Sequence, residues 1–368
     1  MSRINQFLQG IKVVDLSRHL PGPLATLMMV DLGADVIKVE PPDGEELRFI
    51  GPPGEHGHSA YFDAVNGGKV GLQLNLKSAA GQARLAELLQ DADVLFESFR
   101  PGVLDKLDLS VADLRKRYPQ LVICSLNGYG TQSPLQQAVG HDINYLAMNG
   151  VLEGTGTADQ PIAPWPPLAD CSASLFGLSS VLAALLERQR SGQGCHIEVA
   201  LADAVMPLMA FSLVDAQQNG SGMPRAQALL NGGAARYRTY QTKDRQRVAL
   251  GAVEAKFWQA FCEAAGRPEW LARMHDPLPQ TALQSELERY FAELTVTECE
   301  ARFDPVACCF NVVRDMATAL HSDHMEARRL VAERDGVMQA LYPAYVDGMP
   351  PAPRRGFRDQ AAHGVDAQ

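Results

Sequence analysis

Short apolar runs and amphipathic stretches alternate along the first half of the chain. The runs are rich in β-branched residues, as buried strands are, and the stretches between them carry leucines at helical spacing. The predicted strands are 11–16, 35–40, 70–76, 94–96, 121–125 and 195–200. The predicted helices are 24–32, 78–90, 110–118, 170–190 and 201–217. Strands that alternate with helices predict an α/β fold with a mainly parallel sheet.

The helix predicted from Asp170 to about Arg190 carries four leucines at positions that would line one face, and Ser191-Gly192 is expected to end it. These leucines are Leu175, Leu178, Leu182 and Leu185. We expect this leucine stripe to be core.

The pattern becomes less regular after a Gly-rich stretch at 219–224, which is the best linker candidate in the chain. Beyond it, 237–240 and 248–251 predict a hairpin, and 256–265 and 284–294 predict helices. We therefore expect a large domain over 1–218, a smaller α+β domain over 225–330, and a segment over 331–368 that returns toward the large domain.

Composition narrows the classes of partner. With 46% hydrophobic and 21% charged residues, the chain is typical of a globular protein. Its net charge of −10 gives no basic footprint for nucleic acid or for an anionic membrane. The N-terminus lacks an apolar leader, and no stretch is expected to reach the length of a membrane-spanning helix. We expect a small-molecule partner, with neither nucleic acid nor membrane.

The seven cysteines are odd in number and include no C-x-x-C pair. This pattern favours neither a disulfide framework nor a zinc site, so no metal site is predicted and a cytoplasmic location is expected. Nucleotide motifs are also incomplete. The sequence GYGTQS at 128–133 lacks the third glycine of G-x-G-x-x-G, and no P-loop or G-x-S-x-G is present. We do not expect NAD binding.

His141 and Asp170 are candidate proton carriers, since each stands where a predicted element opens. A histidine and a carboxylate that face one cavity from opposite sides can remove a proton from one face of a carbon and return it to the other. Each has a plain structural alternative: His141 as a capping neighbour, and Asp170 as a helix N-cap.

Four basic residues recur in or just beyond the predicted strands of this acidic chain: Arg18, Lys38, Lys69 and Arg100. Such residues are where a phosphorylated ligand could be held, although surface solvation explains each about as well. Arg18 follows the first strand, at the edge where open parallel sheets bind ligands.

Seven segments carry a family resemblance. They are VDLSR (14–18), PGP (21–23), DLGADVIKVE (31–40), ADVL (92–95), FRPGVL (99–104), GYG (128–130) and GHD (140–142). Together they resemble the class III CoA-transferase and alpha-methylacyl-CoA racemase superfamily over nearly the whole chain. The segments GHDINYL (140–146), LAD (168–170), NGGA (231–234) and GAVE (251–254) are similar to the racemase branch.

The resemblance implies an enzyme with a Rossmann-like large domain that holds CoA, a smaller α+β domain, and an interlocked homodimer. In the racemase branch, the catalytic residues fall on His141, Asp170 and a supporting Glu254. The CoA contacts would fall on Arg18, Lys38, Lys69, Arg100 and Tyr145. The implied reaction, in lipid metabolism, is epimerisation of a 2-methylacyl-CoA thioester by 1,1-proton transfer, with no cofactor beyond the CoA of the substrate.

The alternative within the superfamily is a CoA-transferase, which moves CoA between an acyl-CoA and a carboxylic acid with Asp170 as nucleophile. From another class, a CoA-binding regulator without catalysis is disfavoured by the three catalytic residues together. For the racemase, we expect the enolate oxygen to accept backbone N–H bonds at the start of the Asp170 helix. The dipole of that helix is expected to keep Asp170 ionised.

Overall fold

The computed structural model describes residues 2–54 and 57–360. The chain forms two compact units. The first comprises Met1–Leu146, Pro166–Leu208 and Leu320–Gln368, and the second comprises Ala147–Trp165 and Met209–Ala319. The break near 220 is therefore misplaced: Gly220 adopts a left-handed conformation, with φ of 73°, that ends a helix of the second unit. Within the expected C-terminal segment, 361–368 lie outside the described residues.

The strands of the described residues are β1 Lys12–Asp15, β2 Asp35–Glu40, β3 Val70–Gln73, β4 Val94–Glu97, β5 Val122–Asn127, β6 His196–Ala200, β7 Tyr237–Gln241, β8 Arg247–Gly251, β9 Phe310–Val312, β10 Val331–Arg334, β11 Val337–Ala340 and β12 Arg358–Asp359. The α-helices are α1 Pro21–Asp31, α2 Ala60–Asn66, α3 Ala79–Gln90, α4 Val103–Lys106, α5 Val111–Arg117, α6 Asp142–Met148, α7 Val151–Gly154, α8 Leu168–Ser191, α9 Leu201–Ala204, α10 Ala210–Asn219, α11 Ala255–Ala264, α12 Thr281–Ala292, α13 Val296–Phe303, α14 Met316–Leu320 and α15 Asp323–Arg328. Short 3₁₀ helices occur at Arg3–Gln6, Glu46–Phe49, Met206–Met209, Leu229–Asn231 and Pro268–Arg273.

The first unit is built on a seven-stranded sheet in the order β12-β3-β2-β1-β4-β5-β6. Every neighbouring pair in it is parallel. Six of its strands have the 3-2-1-4-5-6 order of a Rossmann-like sheet, so the predicted fold class is confirmed. The strand order reverses between β1 and β4, and ligands of such sheets bind beside this switch point, at the carboxyl ends of the strands.

Local sequence explains the regular elements of this sheet. Strand β5 is buried at all six positions, as expected of an inner parallel strand covered on both faces. Ser78 and Ser110 cap α3 and α5 by accepting backbone N–H bonds, as their sequence positions predict. Gly33 follows α1 with φ of +101°, and a Cβ there would lie 2.3 Å from the carbonyl oxygen of Asn5. Only glycine fits at this turn.

Helix α8 begins at Leu168, two residues before the predicted start, and places Asp170 in its first turn. The predicted leucine stripe is only partly core: Leu178 and Leu185 are buried, but Leu175 is 57% exposed. Apart from Val181, the other buried residues of α8 are small. A Cβ on Gly177 would contact Leu126 of β5 at 3.3 Å, so the absence of a side chain at this position allows close packing on the sheet.

The length of α8 also corrects an expectation. The helix has 24 residues, and its most apolar window of 18 residues has a mean hydropathy of 1.6, so by length and composition alone it is apolar enough to cross a membrane. Half of the apolar window is buried within the protein, where α8 packs against α1, β5 and β6. We interpret it as a core helix. The helix predicted over 201–217 is interrupted instead, because Pro207 removes a backbone donor within a 3₁₀ turn.

The second unit contains the three-stranded antiparallel sheet β7-β8-β9. The predicted hairpin is present as β7 and β8. Its core is aromatic, and the ring of Phe261 stacks on those of Trp258 and Phe303 with centroids 5.5 and 5.1 Å apart. The three-residue strand β9 was not predicted, since so short a run has no readable alternation.

Candidate active site

The segment that carries His141 meets the start of α8 through one carboxylate. Asp142 opens α6, and its Oδ1 accepts hydrogen bonds from the backbone N–H groups of Ala169 at 2.6 Å and of Asp170 at 3.2 Å. First-turn N–H groups have no partner within their own helix, and the helix dipole favours a negative charge there. The first unit thus brings together two segments that are far apart in sequence.

Asp170 is half-buried in the first turn of α8. Burial, followed by the negative charge of Asp142, raises the pKa of Asp170 to about 6. Within the described residues this carboxylate forms no salt bridge. With this pKa Asp170 is mostly ionised at pH 7 and titrates close to neutral pH. Such a pKa suits a group that both takes and gives a proton.

His141 precedes α6 and is exposed. Its backbone N–H donates to Oδ1 of Asn144 at 3.0 Å, which closes the first turn of α6. Across residues 2–54 and 57–360, no hydrogen bond or ion pair engages its imidazole. The backbone of His141 is therefore held while both ring nitrogens remain available.

Tyr145 was expected to contact CoA, but the structure gives it a supporting position. It is 5% exposed, and its hydroxyl donates to the carbonyl of Gly140 at 2.8 Å. A Cβ at Gly128 would lie 2.8 Å from this hydroxyl, so glycine is needed for the close approach. Burial, with smaller contributions from Tyr129 and Asp170, raises the pKa of Tyr145 to about 12. Tyr145 holds the loop that leads into His141.

The expected oxyanion donors are already occupied. The N–H groups of Ala169 and Asp170 both donate to Asp142, and the N–H of Cys171 donates to the carbonyl of Pro167 at 3.1 Å. A donor in use by a carboxylate has no hydrogen left for an enolate oxygen. The N–H groups of Ala169, Asp170 and Cys171 are therefore not free for an enolate oxygen in this arrangement, and an enolate contact at the start of α8 stays a prediction.

The loops after β1 and β4 meet at the switch point of the sheet. The backbone N–H of Arg18 donates to Oγ of Ser98 at 2.9 Å, and the Arg18 guanidinium lies over the ring of Phe99, 5.6 Å from its centroid. Arg100 follows and is exposed. Within the described residues neither guanidinium forms a salt bridge. Two uncompensated positive charges therefore lie at the ligand-binding edge of the sheet.

Lys38 and Lys69 do not share that exposure. The ammonium of Lys38 lies 2.9 Å from Glu45 Oε1 and donates to the carbonyl of Ser17. The ammonium of Lys69 lies 3.1 Å from Asp15 Oδ2 and donates to Asn66 Oδ1. Both side chains have no exposed surface.

This burial corrects the expectation that Lys38 and Lys69 hold a phosphate. Asp15 and Glu45, which were not singled out in the sequence, need buried counter-charges, and the two lysines supply them. Burial favours a neutral Asp15, but the ammonium groups of Lys69 and then Lys38 outweigh it and lower the pKa of Asp15 to about 2. The lysines are structural partners of buried carboxylates in this arrangement.

Comparison with known proteins places the chain in a family. The model of CoA-transferase family III matches residues 8–356. The chain belongs to CoA-transferase family III. The family resemblance seen in the seven sequence segments is thereby confirmed.

Relatives of this family III chain include enzymes of both branches. Alpha-methylacyl-CoA racemase of Homo sapiens is 32% identical over 324 residues, which cover 87% of this chain and 81% of the relative. Acetyl-CoA:oxalate CoA-transferase of Acetobacter aceti is 30% identical over 349 residues, or 92% and 89% of the two chains. A crystal structure of a CAIB/BAIF family protein from Brucella suis matches with a TM-score of 0.83 at 27% identity, covering 95% of each chain. Membership of the family indicates an enzyme. The relatives of this chain include a racemase and a CoA-transferase.

Glu254 lies in the second unit of the family III chain, at the N-cap of α11. Its side chain is exposed and makes no capping hydrogen bond. Because His141 lies in the first unit, a contact between Glu254 and His141 stays a prediction. A Glu254→Gln enzyme with wild-type proton exchange in both directions would remove Glu254 from the site.

The second unit also contains a cavity of 1380 Å³. It is lined by residues of β7 and β8 and by the loop with Asn231 and Gly232, which belong to the racemase-like NGGA segment. In the part of the chain that the structure describes, no group of three or more His, Cys, Asp or Glu side chains is placed to hold a metal ion.

Proposed function

We propose that the protein is a racemase or epimerase of 2-methylacyl-CoA thioesters that acts by 1,1-proton transfer through an enolate. The observation that carries this proposal is Asp170: a half-buried carboxyl group with no cationic partner among the described residues, whose pKa is raised to about 6. General acid–base catalysis is most efficient when the pKa of the group lies near the working pH. Asp142, which contacts the backbone of Asp170, directly follows the exposed His141.

In this mechanism His141 removes the α-proton of one enantiomer, and Asp170 delivers a proton to the opposite face of the enolate. The reverse reaction exchanges the two roles. A positioned base accelerates proton transfer by about 10²- to 10⁴-fold. The enolate oxygen also needs preorganised donors, each of roughly 3 to 4 kcal/mol. Since the N–H groups of Ala169 and Asp170 already donate to Asp142, we assign the donors to the enolate oxygen to other backbone or side-chain groups of the site.

The CoA portion of the substrate binds at the carboxyl ends of β1 and β4, with its phosphates held by Arg18 and Arg100. Support comes from the lack of carboxylate partners for both guanidinium groups within 2–54 and 57–360, and from the net charge of −10, which makes the rest of the chain unattractive to a phosphorylated ligand. No cofactor beyond this CoA is part of the proposal. Lys38, Lys69 and Tyr145 act behind this surface as supports.

An interlocked homodimer, a cytoplasmic location and a role in lipid metabolism are further parts of the proposal. Each unit has a helix with exposed large apolar side chains. These include Leu175 and Leu186 on α8 of the first unit, and Phe211 on α10 of the second. Exposed apolar surface of this kind supports a subunit contact.

A CoA-transferase is the second candidate, favoured by the similarity to acetyl-CoA:oxalate CoA-transferase at 30% identity. In that reaction a carboxylate oxygen of Asp170 attacks the thioester carbonyl carbon. The C–S bond breaks, CoA thiolate leaves, and a mixed anhydride forms on Asp170. The CoA thiolate then attacks the aspartyl carbonyl carbon of the anhydride, which releases the donor acid and leaves CoA as a thioester on Asp170. The acceptor carboxylate attacks this thioester, and CoA thiolate leaves as a second anhydride forms. Attack of the thiolate on the acceptor's acyl carbon gives the new acyl-CoA and restores the carboxylate of Asp170. Such a reaction needs Asp170 but assigns no proton transfer to His141.

The deciding experiment measures deuterium incorporation at the α-carbon from D₂O, for each 2-methylacyl-CoA enantiomer and with no carboxylate acceptor. Mass spectrometry searches in parallel for an acyl adduct on Asp170. We expect exchange in the wild type, loss of exchange from one enantiomer in His141→Ala, and the mirrored pattern in Asp170→Ala. His275→Ala, which changes an exposed histidine of the second unit, is the matched control. The racemase proposal would be contradicted by an acyl adduct on Asp170 together with acceptor-dependent CoA transfer and no α-exchange.

A further inference from the structure

Helix α8 has no cap of its own. Its N-cap residue is Pro167, whose side chain has no hydrogen-bond acceptor. Ala169 is 0% exposed, so water cannot readily serve its N–H group. A buried, unsatisfied N–H is strongly unfavourable, and the carboxylate of Asp142 satisfies it at 2.6 Å. The start of α8 therefore depends on an acceptor supplied by another element.

Asp142, which carries this carboxylate, directly follows His141 in the chain. The residue before His141 is held by the hydroxyl of Tyr145 on the carbonyl of Gly140, at 2.8 Å. The residue after it, Asp142, is held by the backbone of Ala169 and Asp170. His141 is thus fixed at both flanks, and one of these attachments is the backbone of Asp170 itself.

We infer that Asp142 is a positioning residue that sets the distance between His141 and Asp170 and supplies a negative charge beside Asp170. The inference rests on the proposed function, in which these two residues exchange protons with opposite faces of one carbon. A carboxylate suits both tasks. It accepts two N–H bonds at once, and its charge is favourable at a helix N-terminus.

The charge has a measurable consequence for Asp170. The titratable groups that face Asp170 are Asp142 and Tyr145 on α6, with Cys171 beside it on α8. Tyr145 and Cys171 are neutral near pH 7 because their own pKa values are raised. Asp142 is therefore the negative neighbour, and a nearby negative charge disfavours ionisation of a second carboxyl group. Its removal should lower the pKa of Asp170 from about 6.

Two substitutions separate position from charge. Asp142→Asn keeps a carbonyl oxygen as acceptor and removes the charge, whereas Asp142→Ala removes both. The matched control is Asp113→Asn, an exposed acid in the first turn of α5. The titration of Asp170 is followed by ¹³C NMR of protein labelled in its aspartate carboxyl groups, with the signal assigned by its absence in Asp170→Asn. α-Deuterium exchange is measured on both enantiomers across pH.

In Asp142→Asn we expect a lower midpoint for Asp170, a matching shift of the acid limb of the exchange profile, and exchange within about tenfold of wild type. In Asp142→Ala we expect exchange from both enantiomers to fall about a hundredfold, since a displacement near 1 Å has an effect of this size. Asp113→Asn should match wild type in both measurements.

An unmoved Asp170 midpoint in Asp142→Asn overturns the inference, and so does unchanged exchange in a folded Asp142→Ala protein. If Asp142→Ala does not fold, Asp142→Asn tests the inference through the titration midpoint of Asp170 and the pH profile of α-exchange. A wild type that exchanges no α-hydrogen overturns the proposed function instead. In that case the role of Asp142 is still tested by the NMR titration midpoint of Asp170, and CoA transfer replaces α-exchange as the measure of activity.

Discussion

Two aspartates of the first unit, one buried and one half-buried, have pKa values that are shifted in opposite directions. Asp15 ends β1 with 0% exposure, and Asp170 lies half-buried in the first turn of α8. The carboxylate of Asp15 accepts hydrogen bonds from Thr26 Oγ1 at 2.6 Å and from the ammonium of Lys69 at 3.1 Å. Asp170 has a second carboxylate, Asp142, as its charged neighbour. The pKa is about 2 for Asp15 and about 6 for Asp170.

Burial cannot explain this difference, because it raises the pKa of both groups. The sign is decided by the neighbouring charge: an ammonium group stabilises the carboxylate, whereas another carboxylate destabilises it. A paired buried carboxylate stays ionised and serves the structure. An unpaired one beside like charge is ready to bind a proton near neutral pH, a property found at functional sites. The contrast separates a structural acid from a candidate catalytic acid within one unit.

The largest effect is expected when Asp15 loses the ammonium group of Lys69, its partner in the buried ion pair. Lys69→Met keeps a long side chain but leaves a buried carboxylate without its closest cation. Removing one partner of a buried ion pair typically destabilises a protein by about 3 to 5 kcal/mol. We expect a loss of this size in the free energy of unfolding measured with urea at pH 7. Lys77→Met, at an exposed lysine, should change stability by less than about 1 kcal/mol. Equal stabilities for the two variants would contradict the role given to Lys69.

The second test uses Asp170, where the sign of the pKa shift is reversed. A carboxyl group whose folded pKa is raised disfavours the folded state when ionised, so the penalty is present above about pH 6 and disappears as pH falls toward 4. Asp15 is the opposite case: its contribution to stability is present above its ordinary pKa and is lost as pH falls toward 2.

Asp170→Asn should therefore stabilise the protein at pH 8 by roughly 1 to 2 kcal/mol, a value reduced from the full shift because the group is partly exposed. No gain is expected at pH 4. Urea unfolding at the two pH values measures this difference, and α-exchange should be lost from the enantiomer that Asp170 deprotonates. A variant that is destabilised equally at pH 4 and pH 8 would show that the ionised carboxylate of Asp170 is not under strain.

The same contrast shows what the sequence can and cannot predict. The periodicity of apolar residues predicts the parallel sheet, because each buried strand and its capped helices carry local signals. Family segments single out His141 and Asp170. The sequence does not distinguish Lys38 and Lys69 from Arg18 and Arg100, since all four are basic residues near strand ends. Their roles depend on the buried acids Asp15 and Glu45, which approach them only in the folded unit.

Asp142 was missed for a related reason. In the sequence it reads as one part of the GHD segment, and its contact with the start of α8 joins residues 27 and 28 positions apart. A tertiary cap of this kind leaves one local signal, which is that Pro167 cannot cap the helix it precedes. The absence of Ser, Thr, Asn or Asp at a helix start is therefore a reason to look for a distant acceptor.

The smallest expected effect sharpens the contrast among the basic residues. If Arg18 and Arg100 contact phosphates at the switch point, Arg100→Ala should weaken CoA binding about five- to tenfold at low salt, since an exposed ion pair contributes roughly 1 kcal/mol. This difference should shrink as salt is raised, because exposed charges are screened over about 10 Å at 0.1 M. Lys38→Ala should instead lower the free energy of unfolding and leave the affinity of the remaining folded protein nearly unchanged. Calorimetry at two salt concentrations, with urea unfolding of each variant, measures both quantities. A salt-independent affinity that falls in Lys38→Ala but not in Arg100→Ala would restore the buried lysine as the ligand contact.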